Sequence, residues 1–315
     1  MKNINKIIAD IKSVKIQGAT SVCKATLDIF EGLCIRYKNL DIKNFEKKFF
    51  SESRKITELR ATEPMARNAL KFIENKYYNR TFDTTQEAIL NIGQLIGLFR
   101  ELILKTESRI IKNGANLISK DDRILTHCHS SIVEKILISQ KNKKISVYNT
   151  EARPLMQGRI TSKKLVQSGI KTTMIVDSAA EFFISNHSGD LKMDKVILGC
   201  DAISIDGSAI NKIGSYGIAL ACKTNKIPFY IAGTLLKLDS QNTINIEIRN
   251  NNEIWKNPIS KKLNIINIAF DYIPDEYITG IICEFGVIKP HEVNNYIEKY
   301  YPWLFEKKVQ LINAK

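Results

Sequence analysis

Arg123-Ile-Leu-Thr-His-Cys-His-Ser-Ser-Ile-Val-Glu-Lys-Ile-Leu-Ile-Ser139 passes from a short apolar run, through a polar turn, into a helical stretch at 131–139. The rhythm repeats downstream. Lys144-Ile-Ser-Val-Tyr148, Thr172-Thr-Met-Ile-Val176, Lys195-Val-Ile-Leu-Gly199, Pro228-Phe-Tyr-Ile-Ala232 and Asn267-Ile-Ala-Phe270 read as further strands, with helical stretches at 161–168, 179–184 and 213–223 between most of them. Such alternation predicts a doubly wound parallel sheet whose ligands sit outside the carboxyl ends of the strands. No Gly-x-Gly-x-x-Gly follows the first strand, so a dinucleotide cofactor is not supported.

Upstream the pattern is helical. Segments 22–37 and 85–118 carry apolar residues at helical spacing; in the second, Ile89, Ile92, Leu95, Ile96, Leu98, Phe99, Leu102, Ile103 and Ile110 form one broad face. Thr84 and Thr85 are candidate caps for it, with Glu87 in the first turn, and residues 64–79 form another helix started at Pro64. The sequence thus predicts an α/β protein: a helical N-terminal domain over 1–119, then a Rossmann-like α/β catalytic domain over 120–315. It shows no internal repeat, and its most linker-like segment is the polar stretch 240–259.

The chain has 315 residues, 44% of them hydrophobic and 25% charged, which fits a globular protein with a real core. No apolar run approaches the ~20 residues that cross a bilayer. Met1-Lys2-Asn3-Ile4-Asn5-Lys6 alternates apolar with charged residues and does not read as a signal peptide, so a cytoplasmic location without membrane association is expected. Six dispersed cysteines without a Cys-x-x-Cys pair argue against a disulfide framework or a zinc site. The net charge of +14 comes from scattered lysines rather than a basic stripe. No nucleic-acid partner is expected, and an anionic small substrate would be attracted.

Cys128 follows the first strand and precedes Ser131-Ile-Val-Glu134, which has the form of a capping box. A thiol ahead of a helix start should have a lowered pKa, and N–H groups from Ser130 through Ser131 to Ile132 could receive a phosphate. The competing reading is a buried structural cysteine. His127 and His129 flank the cysteine; in an extended segment neighbours point to opposite faces, so at most a subset of the three can face the site, and a supporting or structural role is assigned to both histidines. Asp201 ends another strand and is either a general acid or a turn cap. Asp206-Gly207 reads as a turn. Asn211-Lys212-Ile-Gly214 opens a helix with a cation beside it, and Lys237 and Arg153 also follow strand ends. Gln17-Gly-Ala-Thr20 and Arg60-Ala-Thr-Glu-Pro64 precede helices; each alone reads as a solvated cap.

Together these blocks resemble one family, the sugar-phosphate isomerases related to the regulatory subunits of translation initiation factor 2B. Ile16-Gln-Gly-Ala-Thr20, Arg60-Ala-Thr-Glu-Pro64, Leu125-Thr-His-Cys-His-Ser130, Thr150-Glu-Ala-Arg-Pro154, Gly199-Cys-Asp-Ala-Ile203, Asn211-Lys-Ile-Gly214 and Gly233-Thr-Leu-Leu-Lys237 occur in family order across nearly the whole chain. The regulatory subunits generally lack the cysteine and aspartate that stand here as Cys128 and Asp201. Methylthioribose-1-phosphate isomerases keep both but differ around them; His-Cys-His-Ser and Asp-Ala-Ile are most similar to the archaeal ribose-1,5-bisphosphate isomerases. Ala61 departs from the family's usual proline. The resemblance implies conversion of α-D-ribose 1,5-bisphosphate to D-ribulose 1,5-bisphosphate in nucleoside and AMP degradation. It implies Cys128 as proton acceptor, Asp201 as proton donor, and substrate contacts at Gln17, Gly18, Ala19, Thr20, Arg60, Ser130, Ser131, Ile132, Asn211, Lys212 and Lys237. It requires no cofactor or metal and implies homo-oligomers, dimers or a hexamer built as a trimer of dimers. The alternatives are a non-catalytic subunit and a methylthioribose-1-phosphate isomerase.

Overall fold

The computed structural model describes residues 3–240, 247–257, 260 and 262–305. Met1 and Lys2 of the N-terminal reading, and 241–246 and 258–259 of the polar stretch, lie outside the described residues. The described chain forms two compact units. Residues 3–105, 236–240 and 295–305 make one; residues 106–235 and the described part of 247–294 make the other. The division falls between Lys105 and Thr106, inside a helix, whereas the sequence suggested the loop at 119/120.

The first unit is helical: α1 (Ile4–Lys12), α2 (Ala19–Tyr37), α3 (Ile42–Thr57), α4 (Met65–Tyr77) and the start of α5 (Thr85–Asn116). α1 and α3 were not singled out in the sequence, although both are amphipathic, with Ile4 and Ile11 of α1 and Phe45, Phe49 and Phe50 of α3 buried. Local chemistry sets the starts. Asp41 accepts from the Asn44 N–H ahead of α3. At α5, Thr84 Oγ1 accepts from the Glu87 N–H (3.2 Å) while Glu87 Oε2 accepts from the Thr84 N–H (3.3 Å), a reciprocal cap. The core is aromatic: Phe49 is fully buried with ring centroids 6.1 Å from Phe30, 5.7 Å from Phe45 and 5.0 Å from Phe50.

The second unit is built on β1 (Arg123–Thr126), α6 (Ser131–Ser139), β2 (Ser146–Thr150), α7 (Gly158–Gln167), β3 (Lys171–Ile175), α8 (Ala180–Ile184), β4 (Lys195–Gly199), β5 (Ala202–Ser204), β6 (Ala209–Lys212), α9 (Ser215–Asn225) and β7 (Phe229–Ala232). The sheet order runs from the Gly286–Ile288 strand through Gly280–Cys283, β7, β4, β1 and β2 to β3. The pairings from β3 to Gly280–Cys283 are parallel; the last strand pairs antiparallel. β1 and β4 are neighbours although two strands intervene in sequence, so the chain reverses its winding between them and a crevice opens at their carboxyl ends.

Alternate strand residues Ile124, Val147, Ile197, Ala232 and Ile282 meet Ile136 and Leu137 of α6, Leu165 of α7 and Ile110 in one core. Replacing fully buried Ile136 with valine removes one methylene from that core. We expect ~0.5–1.5 kcal/mol lower stability, read as a reduced denaturant midpoint with an unchanged slope.

One strand assignment is corrected. Asn267–Phe270 is not a strand of the parallel sheet; the strand is Phe270–Ile273, antiparallel to β6 in a second sheet that also contains β5. Its buried ends flank two half-buried residues rather than a fully apolar run, as expected for a strand outside the central sheet. The Gly280–Cys283 and Gly286–Ile288 hairpin was not anticipated. No described helix is long and apolar enough to cross a membrane.

Candidate active site

β1 ends at Thr126 and β4 at Gly199, so Cys128 and Asp201 leave adjacent strands two residues past their carboxyl ends, on the two sides of the reversal. The intervening residues are held in place. Cys128 has a left-handed φ of 66°, which turns the chain out of the strand. The Thr161 hydroxyl donates to the Cys128 carbonyl (3.1 Å) and accepts from His129 Nδ1 (2.9 Å). The Cys128 thiol faces Gln157 Oε1 at 3.5 Å. Across the reversal the Asp201 N–H donates to the Ile210 carbonyl (2.8 Å), which pins Asp201 beside β6. At Gly199 the alpha carbon lies against the Ser130 side chain, so a β-carbon there would collide with it.

Two electrostatic expectations are corrected. The Cys128 thiol does not have a lowered pKa: burial pushes it up to about 11, against the pull of Lys212 and the His129 N–H, with the charges of Asp201 and Asp177 raising it further. The cap of α6 is Ser130, whose Oγ accepts from Val133 N (3.5 Å), and the helix field fades over the two residues back to Cys128. Glu134 is not the capping partner of Ser131. Its carboxylate lies 3.2 Å from Lys164 and 3.8 Å from His129 Nδ1. We therefore expect alkylation of Cys128, followed by mass spectrometry of its peptide, to accelerate through pH 9 and 10 and level off only near about 11.

Helix geometry leaves the first-turn N–H groups of Ser131 and Ile132 without intrahelical partners, in line with an anion seat beside Cys128. The second expected seat is different. Asn211 and Lys212 close β6 rather than open a helix, and α9 begins at Ser215 after Gly214. Asp271 accepts from the N–H groups of Gly214 (2.7 Å) and Tyr216 (3.0 Å), so a carboxylate of the chain already occupies that helix start. Asn211 Nδ2 donates to Ser215 Oγ (2.9 Å), and buried Lys212 stands over the Phe270 ring at 5.0 Å.

The remaining predicted residues belong to the first unit. Gly18, with φ 84°, precedes α2; Gln17 stands before it, and Ala19 and Thr20 begin the helix. Arg60 is not a solvated cap: its guanidinium and Glu63 form a buried pair at 2.7 Å. Lys237 is buried too. Asn68 donates to the carbonyls of Leu236 and Leu238 (both 2.8 Å), and Arg67 bonds the Ala61 carbonyl and reaches Asp239 at 3.5 Å. Arg67 and Asn68 thus draw the Arg60 and Lys237 segments onto α4, and Ala61 is held through its carbonyl where a proline ring would otherwise stiffen the loop. Arg153 is exposed and donates to the Ile254 carbonyl at 3.1 Å.

The sequence did not single out Gln157, Thr161, Asp177 or Asp271. Asp177 accepts from the N–H groups of Ala152 and Arg153 at 2.7 Å each, and it fixes the loop after β2. It lies two residues past β3, so the rule that pointed to Asp201 would have found it.

Comparison with known proteins places this arrangement. The initiation factor 2 subunit family matches residues 15–290. The ribose 1,5-bisphosphate isomerase of Methanocaldococcus jannaschii is 32% identical, with 96% of this chain and 97% of that protein aligned. The methylthioribose-1-phosphate isomerase of Pelotomaculum thermopropionicum is 31% identical over 89% of this chain and 81% of its own. The crystal structure of the Pyrococcus horikoshii OT3 translation initiation factor eIF-2B superposes with a TM-score of 0.76 at 26% identity, covering 92% of this chain and 98% of that one. With a family match over most of its length and relatives aligned end to end, the chain belongs to the initiation factor 2 subunit family.

Proposed function

We propose that this protein converts α-D-ribose 1,5-bisphosphate to D-ribulose 1,5-bisphosphate, with Cys128 as base and Asp201 as acid. Its near-full-length isomerase relatives make it a sugar-phosphate isomerase of the family; the sugar and the residue roles are our assignment. One observation carries the roles: a thiol and a carboxylate leave adjacent strands at the reversal of the sheet, close enough for the Asp201 charge to act on the thiol.

The raised thiol shapes the mechanism. Cys128 and Asp201 together hold one proton, and the active form is the one with the proton on Asp201 and the charge on sulfur. Asp201 gives this proton to the ring oxygen as its bond to carbon 1 breaks, while the thiolate takes the proton from carbon 2. The product is an open-chain enol phosphate. The Cys128 thiol then protonates carbon 1, and Asp201 takes the proton of the carbon 2 hydroxyl. The ketose forms and both groups are reset, with no net proton uptake. Lys212 offsets charge beside the thiolate, and the N–H groups from Ser130 to Ile132 take a phosphate. By resemblance, Gln17 to Thr20, Arg60, Asn211 and Lys237 complete the substrate contacts.

The substrate choice is supported by His-Cys-His-Ser around Cys128 and Asp-Ala-Ile at Asp201. The purified protein is to be incubated separately with ribose 1,5-bisphosphate and methylthioribose 1-phosphate, and the products identified. Ribulose 1,5-bisphosphate from the first supports the proposal. Turnover of the second alone moves the assignment to the other isomerase, and turnover of neither favours a non-catalytic subunit. Light scattering on the same sample tests the expected homo-oligomer.

A further inference from the structure

His127 is buried to 2% exposure beside Cys128, and the chemistry assigned to the thiol and Asp201 does not use it. Its Nε2 lies 2.9 Å from the Ile213 carbonyl, which can only accept, so Nε2 carries a proton. Nδ1 then accepts from the Thr150 hydroxyl at 2.6 Å. Burial holds the ring below the ordinary histidine range, against the charges of Asp177 and Asp271 and with the help of Lys212, so it stays neutral.

The bonded carbonyl belongs to the residue directly after Lys212. The Ile213 N–H donates to the Ala269 carbonyl (3.0 Å), and Gly214 and Tyr216 are tied to Asp271. Those anchors hold the segment to the Phe270–Ile273 side; His127 links it to the loop that carries the thiol. Gly214 lies against the ring, where a β-carbon would make ordinary contact with His127 Cε1 at 3.4 Å, and it is its φ of 102°, one that side chains rarely adopt, that calls for glycine.

We propose that His127 is a positioning residue that sets the distance between the Cys128 thiol and the Lys212 ammonium by clamping the Ile213 carbonyl. The proposal rests on Cys128 being the base. Because the attraction falls with distance, loosening the clamp weakens the pull of Lys212 that favours the thiolate, while Asp201 and Asp177 continue to oppose it and Gln157 and the His129 N–H stay in place.

The test is the rate of iodoacetamide modification of Cys128 at pH 8, read by mass spectrometry on the full chain. In His127→Asn the shorter amide can meet Thr150 but not reach Ile213, and we expect the rate to fall about tenfold, the effect of one unit on the thiol. In His127→Gln the amide nitrogen can again reach Ile213, and the rate is expected to return to within about threefold of the parent. An Asn variant as reactive as the parent overturns the proposal, as does a Gln variant as slow as the Asn variant. Should His127→Asn not fold, His127→Leu fills much of the buried volume without a bond to Ile213, and an unchanged rate there overturns it equally. None of these readouts needs turnover. A parent without isomerase activity would defeat the proposed function and leave the clamp standing.

Discussion

Cys128→Ser is expected to lower turnover by about 10²–10⁴-fold while KM changes little, because the variant removes the group that takes the proton from carbon 2 and little else. The exchange is close to isosteric. A serine can occupy the left-handed turn at 128 at a cost similar to that of cysteine, and its hydroxyl can still donate to Gln157 Oε1. The loop keeps its other bond, from Thr161 to the carbonyl of residue 128. What is lost is acidity. The thiol already stands at about 11, and an alcohol in the same place is far less acidic still, so the charged form is not populated. Steady-state kinetics with circular dichroism on the same sample checks this, and turnover within a few-fold of the parent would remove Cys128 from the mechanism.

Asp201→Asn carries the second large effect and separates two roles by sign. The amide cannot protonate the ring oxygen, so turnover should fall by at least ~10²-fold. Its charge, however, raises the Cys128 pKa, and removing that charge makes the thiolate easier to form. Alkylation of Cys128 in this variant should therefore be faster than in the parent at pH 8, even as isomerisation collapses. A carboxylate that merely capped the turn would also release the thiol but leave turnover near the parent's, since the backbone bond from residue 201 to the Ile210 carbonyl survives the substitution. Turnover within a few-fold of the parent would refute the acid assignment, and slower alkylation would refute the electrostatic one.

The centre of the parallel sheet was legible because its strands are short, largely buried apolar runs: β4 matches Lys195–Gly199 and β1 matches Arg123–Thr126 at both ends, whereas β3 at the edge has no buried residue. The position of Asp201 and Cys128 followed from counting past strand ends. Sheet order was not legible, and it is the adjacency of β1 and β4 that turns two separate strand ends into one crevice. The acidity of Cys128 was misjudged because a sequence shows a helix start but not the burial that outweighs it. Asp271 escaped notice for a related reason. It lies far along the chain from Gly214, yet the register that pairs it with Asn211 brings its carboxylate to the start of α9. His127 could be seen as a neighbour of the thiol, but its bond to Ile213 spans a separation that no local pattern encodes.

Gly199 and Ser130 behave as one inherited unit. With Ser130 in place, every side chain larger than hydrogen is shut out of position 199, and any larger replacement at 130 leans on the same wall. Position 199 can gain a side chain only once the one at 130 has been given up. In the other order a mutational path passes through a form in which the loops bearing the thiol and the acid are pushed apart. The spacing of the two groups is thereby protected by simple bulk, at the one place where the sheet turns back on itself.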